Sequence, residues 1–130
     1  MKLSIMILLN INKVNKLNDR LKFLKYEPNQ KFSKHCDANF SLDDSYCPDD
    51  MSIFTAQFYL NEVKQGGETI FYKDGGYTKD VKIKPKTGNV LIFEQEDLVH
   101  EGSIVEDGVK FCIRTDVMYK KTNGFAIFPH

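Results

Sequence analysis

The chain has 130 residues, and its 18 lysine and arginine side chains equal its 18 aspartate and glutamate side chains in number. A neutral chain without a continuous basic stripe gives no argument for nucleic acid or an anionic membrane surface as a partner. The length predicts one domain over residues 1–130, large enough to bury roughly two thirds of the surface of its unfolded chain. Three cysteines, an odd number, disfavour a full disulfide framework and favour a reducing, cytoplasmic compartment.

The N-terminus carries Lys2 followed by the mostly apolar run 3–9, a pattern similar to a minimal signal peptide. The run is short, no small-residue cleavage site follows it, and a membrane-spanning helix needs ~20 apolar residues. We therefore expect residues 3–11 to form a short strand or helix that covers a bare face of a sheet. Residues 12–20 are predicted to be a short helix or the end of one.

From residue 20 onward, β-branched and aromatic residues predict a succession of short strands. Turns rich in glycine, proline, asparagine and aspartate separate them. The predicted strands span residues 21–26, 31–37, 52–60, 68–71, 81–84, 89–94, 98–102 and 109–119. So many short strands indicate an all-β sandwich or jelly roll. The acidic loop between the second and third strands, with Asp43, Asp44, Asp49 and Asp50, is expected to be a lid.

Two residues of the second predicted strand, His35 and Asp37, are the first candidate metal ligands. Alternation along an extended backbone points both side chains to one face. The distant His100 can complete a set of two imidazoles and one carboxylate, which leaves the opposite face of a metal open and suits non-haem Fe(II) oxygenases. Cys36 points the other way and is expected to be a packed thiol.

The last predicted strand carries two cations that need an anion. At a period of two, Lys110, Cys112 and Arg114 share one face among apolar neighbours. A buried cation without an anionic partner is costly. The two cations lie ~13 Å apart along the strand, too far for both to hold one carboxylate unless their side chains bend together.

Several ordered motifs resemble those of the 2-oxoglutarate and Fe(II)-dependent dioxygenases of the prolyl 4-hydroxylase type. The resemblance covers about residues 18–119. It is carried by 21–26 (LKFLKY), 32–37 (FSKHCD), 59–61 (YLN), 66–69 (GGET), 84–93 (KPKTGNVLIF), 100–102 (HEG) and 114–119 (RTDVMY). Helices and strands that precede this region in similar enzymes are not matched, so the resemblance implies a shortened N-terminus.

The resemblance implies a double-stranded β-helix with little or only a short N-terminal helix. It implies that His35, Asp37 and His100 bind Fe(II) and are catalytic, and that 2-oxoglutarate chelates the metal through its C1 carboxylate and C2 ketone. O2 is the third implied cofactor, and ascorbate stays open as a fourth.

The same resemblance implies residues around the far end of 2-oxoglutarate. Tyr26 is expected to reach toward the cosubstrate, and Tyr59 to contact its distal carboxylate; a buried ring with a satisfied hydroxyl is the alternative role for Tyr26. Lys110 has the family spacing from His100 for the cation that binds the C5 carboxylate. Arg114 remains the second candidate, because a guanidinium is the better fork for a carboxylate.

The implied function is hydroxylation of a C–H bond, prolyl or of another side chain in a peptide or protein, with release of succinate and CO2. Two alternatives stay open: a cupin-like metal-binding module without turnover, and a nucleic-acid demethylase of the same fold. The neutral charge speaks against the second of these. A peptide or protein is the expected partner, nucleic acid and membrane are not, and the sequence leaves the oligomeric state open.

Overall fold

The computed structural model describes residues 12–41 and 50–121, which are almost entirely β-structure. The strands in this part of the chain are β1 (Asn12–Leu17), β2 (Lys22–Tyr26), β3 (Phe32–His35), β4 (Asp50–Tyr59), β5 (Gln65–Gly66), β6 (Thr69–Lys73), β7 (Thr78–Ile83), β8 (Val90–Glu94), β9 (His100–Gly102), β10 (Val105–Asp107) and β11 (Lys110–Lys121). A 3₁₀ turn, Asp74–Gly76, connects β6 to β7. None of the described residues belongs to a helix of a length and hydrophobicity that could cross a membrane.

All named strand pairs are antiparallel, and they build two main sheets. The larger sheet has the order β1-β11-β4-β8. Strand β2 pairs with the same edge of β11 as β1, because β2 occupies the first half of that long strand and β1 the second half. The second sheet has the order β3-β9-β6-β7, and β10 and β5 form a small separate pair. Side chains of the two main sheets meet across the interior, which makes the fold a double-stranded β-helix, or jelly roll.

The interior divides into an apolar part and a polar part. Buried Ile53, Ala56, Val117 and Tyr119 form an apolar cluster between β4 and β11. Elsewhere the described residues bury polar side chains, namely Asn18, Asp37, Ser52, Thr55, Thr69, Gln95, His100, Lys110 and Thr115. Buried polar groups persist only where they find partners or serve a ligand, so this polar part is where a functional site is expected.

The eight strands predicted from residue 21 onward and the jelly-roll class are confirmed. Each observed strand end lies within three residues of the predicted one. The predicted helix over residues 12–20 is wrong, because Asn12–Leu17 forms strand β1. Its backbone pairs with β11 from Asn12 against Lys121 to Leu17 against Val117. Tertiary pairing therefore overrides a weak local preference in a segment that contains Val14 and two asparagines.

Two short strands, β5 and β10, were not predicted because two or three residues carry no periodic signal. Their close approach depends on Gly66, whose φ is 78° and at which a Cβ atom would lie 2.2 Å from the carbonyl oxygen of Ile104. Residues 3–11 and Asp43, Asp44 and Asp49 lie outside the described residues, and Asp50 is the first residue of β4. The single domain over residues 1–130 stays a prediction.

Candidate metal centre

Three predicted ligands, His35, Asp37 and His100, come together at one end of the second sheet. His35 ends β3 and His100 begins β9, and these two strands pair with the two histidines opposite each other. The Nε2 atoms of His35 and His100 lie 3.2 and 3.6 Å from Oδ1 of Asp37. One ligand atom from each residue lies within 4.8 Å of the others, and in residues 12–41 and 50–121 no second group of three or more candidate ligands has this property.

The backbone fixes both imidazole rings with Nε2 toward Asp37. Nδ1 of His35 donates to the carbonyl oxygen of Ser33 over 2.7 Å, and Nδ1 of His100 donates to that of Leu98 over 2.9 Å. Because the carbonyls can only accept, each ring carries its proton on Nδ1 and offers the Nε2 lone pair to a metal. Burial lowers the pKa of His100, with the Leu98 carbonyl and Asp37 opposing, which favours the neutral form that a metal requires.

Asp37 uses its two carboxylate oxygens differently. Oδ2 accepts a hydrogen bond of 2.6 Å from the hydroxyl of Thr55. Oδ1 is buried and accepts no hydrogen bond, although Nη2 of Arg114 lies only 2.8 Å away. The N–H bonds of Arg114 do not point at Oδ1, so this contact is electrostatic. A buried oxygen with a free lone pair, next to two imidazole lone pairs, fits a divalent metal of the Fe(II) class.

A polar network behind Asp37 holds the carboxylate in place. Gln95 is its centre, and its Nε2 donates to Oγ1 of Thr55 over 3.1 Å and to Oδ1 of Asp116 over 2.9 Å. Oε1 of Gln95 accepts from the hydroxyl of Ser52 over 2.7 Å. Outer partners of this kind orient metal ligands and tune their basicity. Neither Thr55 nor Gln95 belongs to a recognisable motif, and only the alternation along β4 could have indicated Thr55.

Aromatic rings surround the two histidines. The ring centroids of Phe32 and His35 lie 4.1 Å apart, and those of Phe93 and His100 lie 4.6 Å apart. Phe71 adds a third ring at 5.7 Å from His100. These rings limit the rotation of the imidazoles and restrict water, which strengthens electrostatic interactions at the centre. Phe93 is itself buried, with an exposed fraction of 6%.

A cavity of about 190 Å³ extends from the metal centre between the two sheets. This volume lies below the 300–1,000 Å³ that is typical for drug-sized ligands and suits a small cosubstrate. The lining residues are Lys22, Leu24, Tyr26, Phe32, His35, Gln57, Thr69, Phe93, His100, Gly102, Lys110, Cys112 and Arg114. The predicted shared face of Lys110, Cys112 and Arg114 is therefore confirmed.

Lys110 is a buried cation in the wall of this cavity, with only 3% of its surface exposed. Its Nζ lies 5.6 Å from the ring centre of Tyr26 and 5.7 Å from that of Tyr59. Burial lowers its pKa, and no carboxylate among residues 12–41 and 50–121 forms an ion pair with it. Gly102 lies beside it in the cavity lining, where a Cβ atom would be in van der Waals contact with Nζ at 3.9 Å.

The two predicted tyrosines lie on either side of Lys110. Tyr26 lines the cavity, and burial raises the pKa of its hydroxyl. Tyr59 is buried behind the lining, where its hydroxyl shares a 2.7 Å hydrogen bond with Oγ1 of Thr69. Thr69, which does line the cavity, also accepts from Nε2 of Gln57 over 3.3 Å. Thr69 is the last residue of the GGET segment. The motif therefore indicated a segment that lines the cavity, although no role was predicted for Thr69 itself.

Arg114 lies against Asp37, whereas Lys110 lies near Tyr26, so the two cations of β11 occupy different parts of the cavity. Cys112 lies between them and is buried, and burial raises the pKa of its thiol. The expectation that Cys36 is packed is wrong, because its side chain is exposed. Cys36 directly follows β3, and the two residues that flank it point to the metal centre, so an extended backbone turns its side chain the other way, to solvent.

The fold and this centre define a non-haem oxygenase class, and comparison with known proteins agrees. The family model "2OG-Fe(II) oxygenase superfamily" matches residues 21–115. Because the match covers most of the chain, the protein belongs to the 2-oxoglutarate and Fe(II)-dependent oxygenase superfamily. The resemblance stated from the motifs is thereby confirmed.

The chain is similar to prolyl hydroxylases. It is 34% identical over 77 residues to the probable prolyl 4-hydroxylase 11 of Arabidopsis thaliana, a match that covers 58% of this chain and 24% of that protein. The viral collagen prolyl hydroxylase of Paramecium Bursaria Chlorella virus-1, solved with 2-oxoglutarate, is 28% identical with a TM-score of 0.57. That match covers 80% of this chain and 63% of the viral chain.

A prolyl 4-hydroxylase of Pseudomonas putida shares the fold, with a TM-score of 0.54 and 21% identity over 78% of this chain and 51% of that one. The chain thus spans about a quarter of the curated plant relative that it matches and less than two thirds of the viral and bacterial structures.

Proposed function

We propose that this chain is an Fe(II)- and 2-oxoglutarate-dependent dioxygenase domain that hydroxylates a C–H bond. The observation that carries the proposal is the convergence of two Nε2 atoms on the buried, hydrogen-bond-free Oδ1 of Asp37, at the end of a cavity that contains a buried cation. Membership of the superfamily supports the same reading.

His35, Asp37 and His100 would hold the iron. The bound metal, with 2-oxoglutarate and O2, supplies the oxidising chemistry, and succinate and CO2 leave as products. The residues of this chain contribute position and exclusion of water. Thr55 holds the carboxylate of Asp37, the carbonyls of Ser33 and Leu98 hold the two imidazoles, and the aromatic rings keep the centre dry.

Lys110 would bind the C5 carboxylate of 2-oxoglutarate. It is a buried cation of the cavity wall and forms no ion pair with a carboxylate in the described ranges, whereas Lys22 is exposed and Arg114 already lies against Asp37. Burial lowers the pKa of Lys110, and an incoming carboxylate would oppose that shift. Tyr26 and Thr69 line the same cavity and would donate hydrogen bonds to the same carboxylate.

The substrate we propose is a prolyl residue in a peptide or protein. The plant, viral and bacterial relatives are named as prolyl hydroxylases, and the viral one as a collagen prolyl hydroxylase. The equal numbers of basic and acidic residues give no support for a polyanionic substrate.

Succinate release tests this function. The protein is incubated with Fe(II), ascorbate and 2-oxoglutarate, with and without proline-rich peptides, and succinate and hydroxyproline are quantified. We expect peptide-stimulated succinate formation that His100→Ala abolishes. Metal binding without succinate formation under any of these conditions would instead support a non-catalytic metal-binding module. Stimulation by single-stranded nucleic acid but by no peptide would support a demethylase.

A further inference from the structure

Arg114 lies against the metal ligand Asp37 and has no role in the proposed anchoring of 2-oxoglutarate. It belongs to β11, opposite Lys22 of β2 and Gln57 of β4, and all three side chains line the cavity. Its Nη2 lies 2.8 Å from Oδ1 of Asp37, and its side chain is 19% exposed against 1% for Asp37.

The oxygen that Arg114 approaches is the one that the two imidazoles face. Nε2 of His35 and Nε2 of His100 lie 3.2 and 3.6 Å from the same Oδ1. A divalent cation bound there and the guanidinium would share one buried carboxylate and repel each other. Solvent screens this repulsion weakly, because Asp37 is buried and Arg114 is mostly so. Arg114 should therefore weaken the binding of a metal that arrives alone.

The guanidinium also retains donor capacity toward the cavity. Its N–H bonds do not point at Oδ1, and no hydrogen bond from Arg114 is found within residues 12–41 and 50–121. A guanidinium has five N–H donors in a planar fork that matches a carboxylate. An anionic ligand of the metal would attract both the metal and the guanidinium of Arg114, and this attraction would offset the repulsion between the two cations.

We propose that Arg114 couples metal binding to the binding of a 2-oxo carboxylate: it disfavours the metal alone and favours the metal together with that anion. The inference rests on the proposed function, since it requires the metal to bind at His35, Asp37 and His100. Such coupling is reciprocal, so Arg114 also makes the binding of the carboxylate depend on the metal.

The test is calorimetric titration of Mn(II), which supports binding without turnover, at one pH with and without 2-oxoglutarate. We expect Arg114→Gln to bind Mn(II) roughly tenfold more tightly than wild type without 2-oxoglutarate, and the factor by which 2-oxoglutarate tightens Mn(II) to fall roughly tenfold. Arg114→Lys, which keeps the charge, should retain most of both effects. Lys79→Gln is the matched control: it removes one exposed cation of β7 that does not line the cavity, and it should change neither quantity.

Equal Mn(II) affinity and equal coupling in Arg114→Gln and wild type would overturn the inference. A lower Mn(II) affinity of Arg114→Gln both with and without 2-oxoglutarate would also overturn it, because Arg114 would then be a structural support. Pyruvate, a 2-oxo carboxylate without the distal carboxylate, should also tighten Mn(II) in wild type. No tightening by pyruvate would overturn the inference even if Arg114→Gln did not fold. If His35→Ala bound Mn(II) as wild type does, the proposed function itself would fail, and the inference would fall with it.

Discussion

The two sides of the Asp37 carboxylate are built differently. Behind it, Thr55, Gln95, Ser52 and Asp116 join in hydrogen bonds of 2.6 to 3.1 Å that leave no buried side-chain atom of these four without a partner. In front of it, Oδ1 accepts no hydrogen bond and faces two imidazoles and a cavity with buried Lys110. The satisfied side holds the ligand rigidly, and the unsatisfied side keeps capacity for a metal and an anion.

The largest expected effect on metal binding and activity comes from the two histidines that face Oδ1 of Asp37. Changing His35 or His100 to alanine removes a ligand, and we expect metal affinity to fall by more than ~100-fold and succinate formation to be lost. Titration of Mn(II) and the succinate assay measure these changes. Cys36→Ser is the matched control, because Cys36 lies between two ligands but is exposed; unaltered metal affinity in both histidine variants would exclude this centre.

Lys110 comes next. Lys110→Ala should weaken 2-oxoglutarate by roughly 2–4 kcal/mol, because the distal carboxylate would be desolvated without a cation. The 2-oxoglutarate concentration required for half-maximal turnover measures the loss, and Lys22→Ala is the control on the same cavity. A large rise in Arg114→Ala with none in Lys110→Ala would reverse the assignment of the anchor.

Substitutions in the hydrogen-bond network behind Asp37 should have a smaller effect, and they should lower activity by weakening metal binding. Thr55→Val leaves Oδ2 of Asp37 buried without its donor, which costs about 1–3 kcal/mol of stability and should lower metal affinity by ~10–100-fold. Urea unfolding and Mn(II) titration measure the two effects. Thr78→Val, at an exposed hydroxyl of β7, controls for the exchange of threonine for valine; equal effects of the two substitutions would deny the network a role in orienting Asp37.

The smallest expected effect is the pH dependence that His100 adds. Burial lowers its pKa below the ordinary 6.5, so as pH falls below about 6.5 the unfolded chain takes up a proton that the folded chain does not. The contribution is fully present above that pH and is lost as pH decreases toward the folded pKa. Urea unfolding with a chelator, compared between wild type and His100→Gln, should show a steeper decline in the wild type; parallel curves would contradict the assignment.

The sequence was informative where alternation and motif spacing act together. Period-two alternation brought His35 and Asp37 to one face and Lys110 and Arg114 to another, and the ordered motifs supplied His100 and the jelly roll. Alternation says nothing about which cation of a strand meets which partner across the interior. That choice depended on the position of Asp37 against β11, which is a tertiary property.

The features that the sequence did not indicate are those fixed by long-range pairing. Strand β1 exists because β11 offers it an edge, and nothing within residues 12–20 required a strand. Gln95 is the centre of a network because a buried amide can both donate and accept, and its side chain has three partners although it lies in the irregular stretch after β8. Single polar residues of this kind have no periodic or motif signature.

Anomalous diffraction from crystals grown with Mn(II) and 2-oxoglutarate tests the metal centre most directly. We expect one strong peak bonded to Nε2 of His35, Nε2 of His100 and Oδ1 of Asp37, with the distal carboxylate of 2-oxoglutarate at Nζ of Lys110. A peak at any other position, or a peak at this position with 2-oxoglutarate bound elsewhere, would contradict the account.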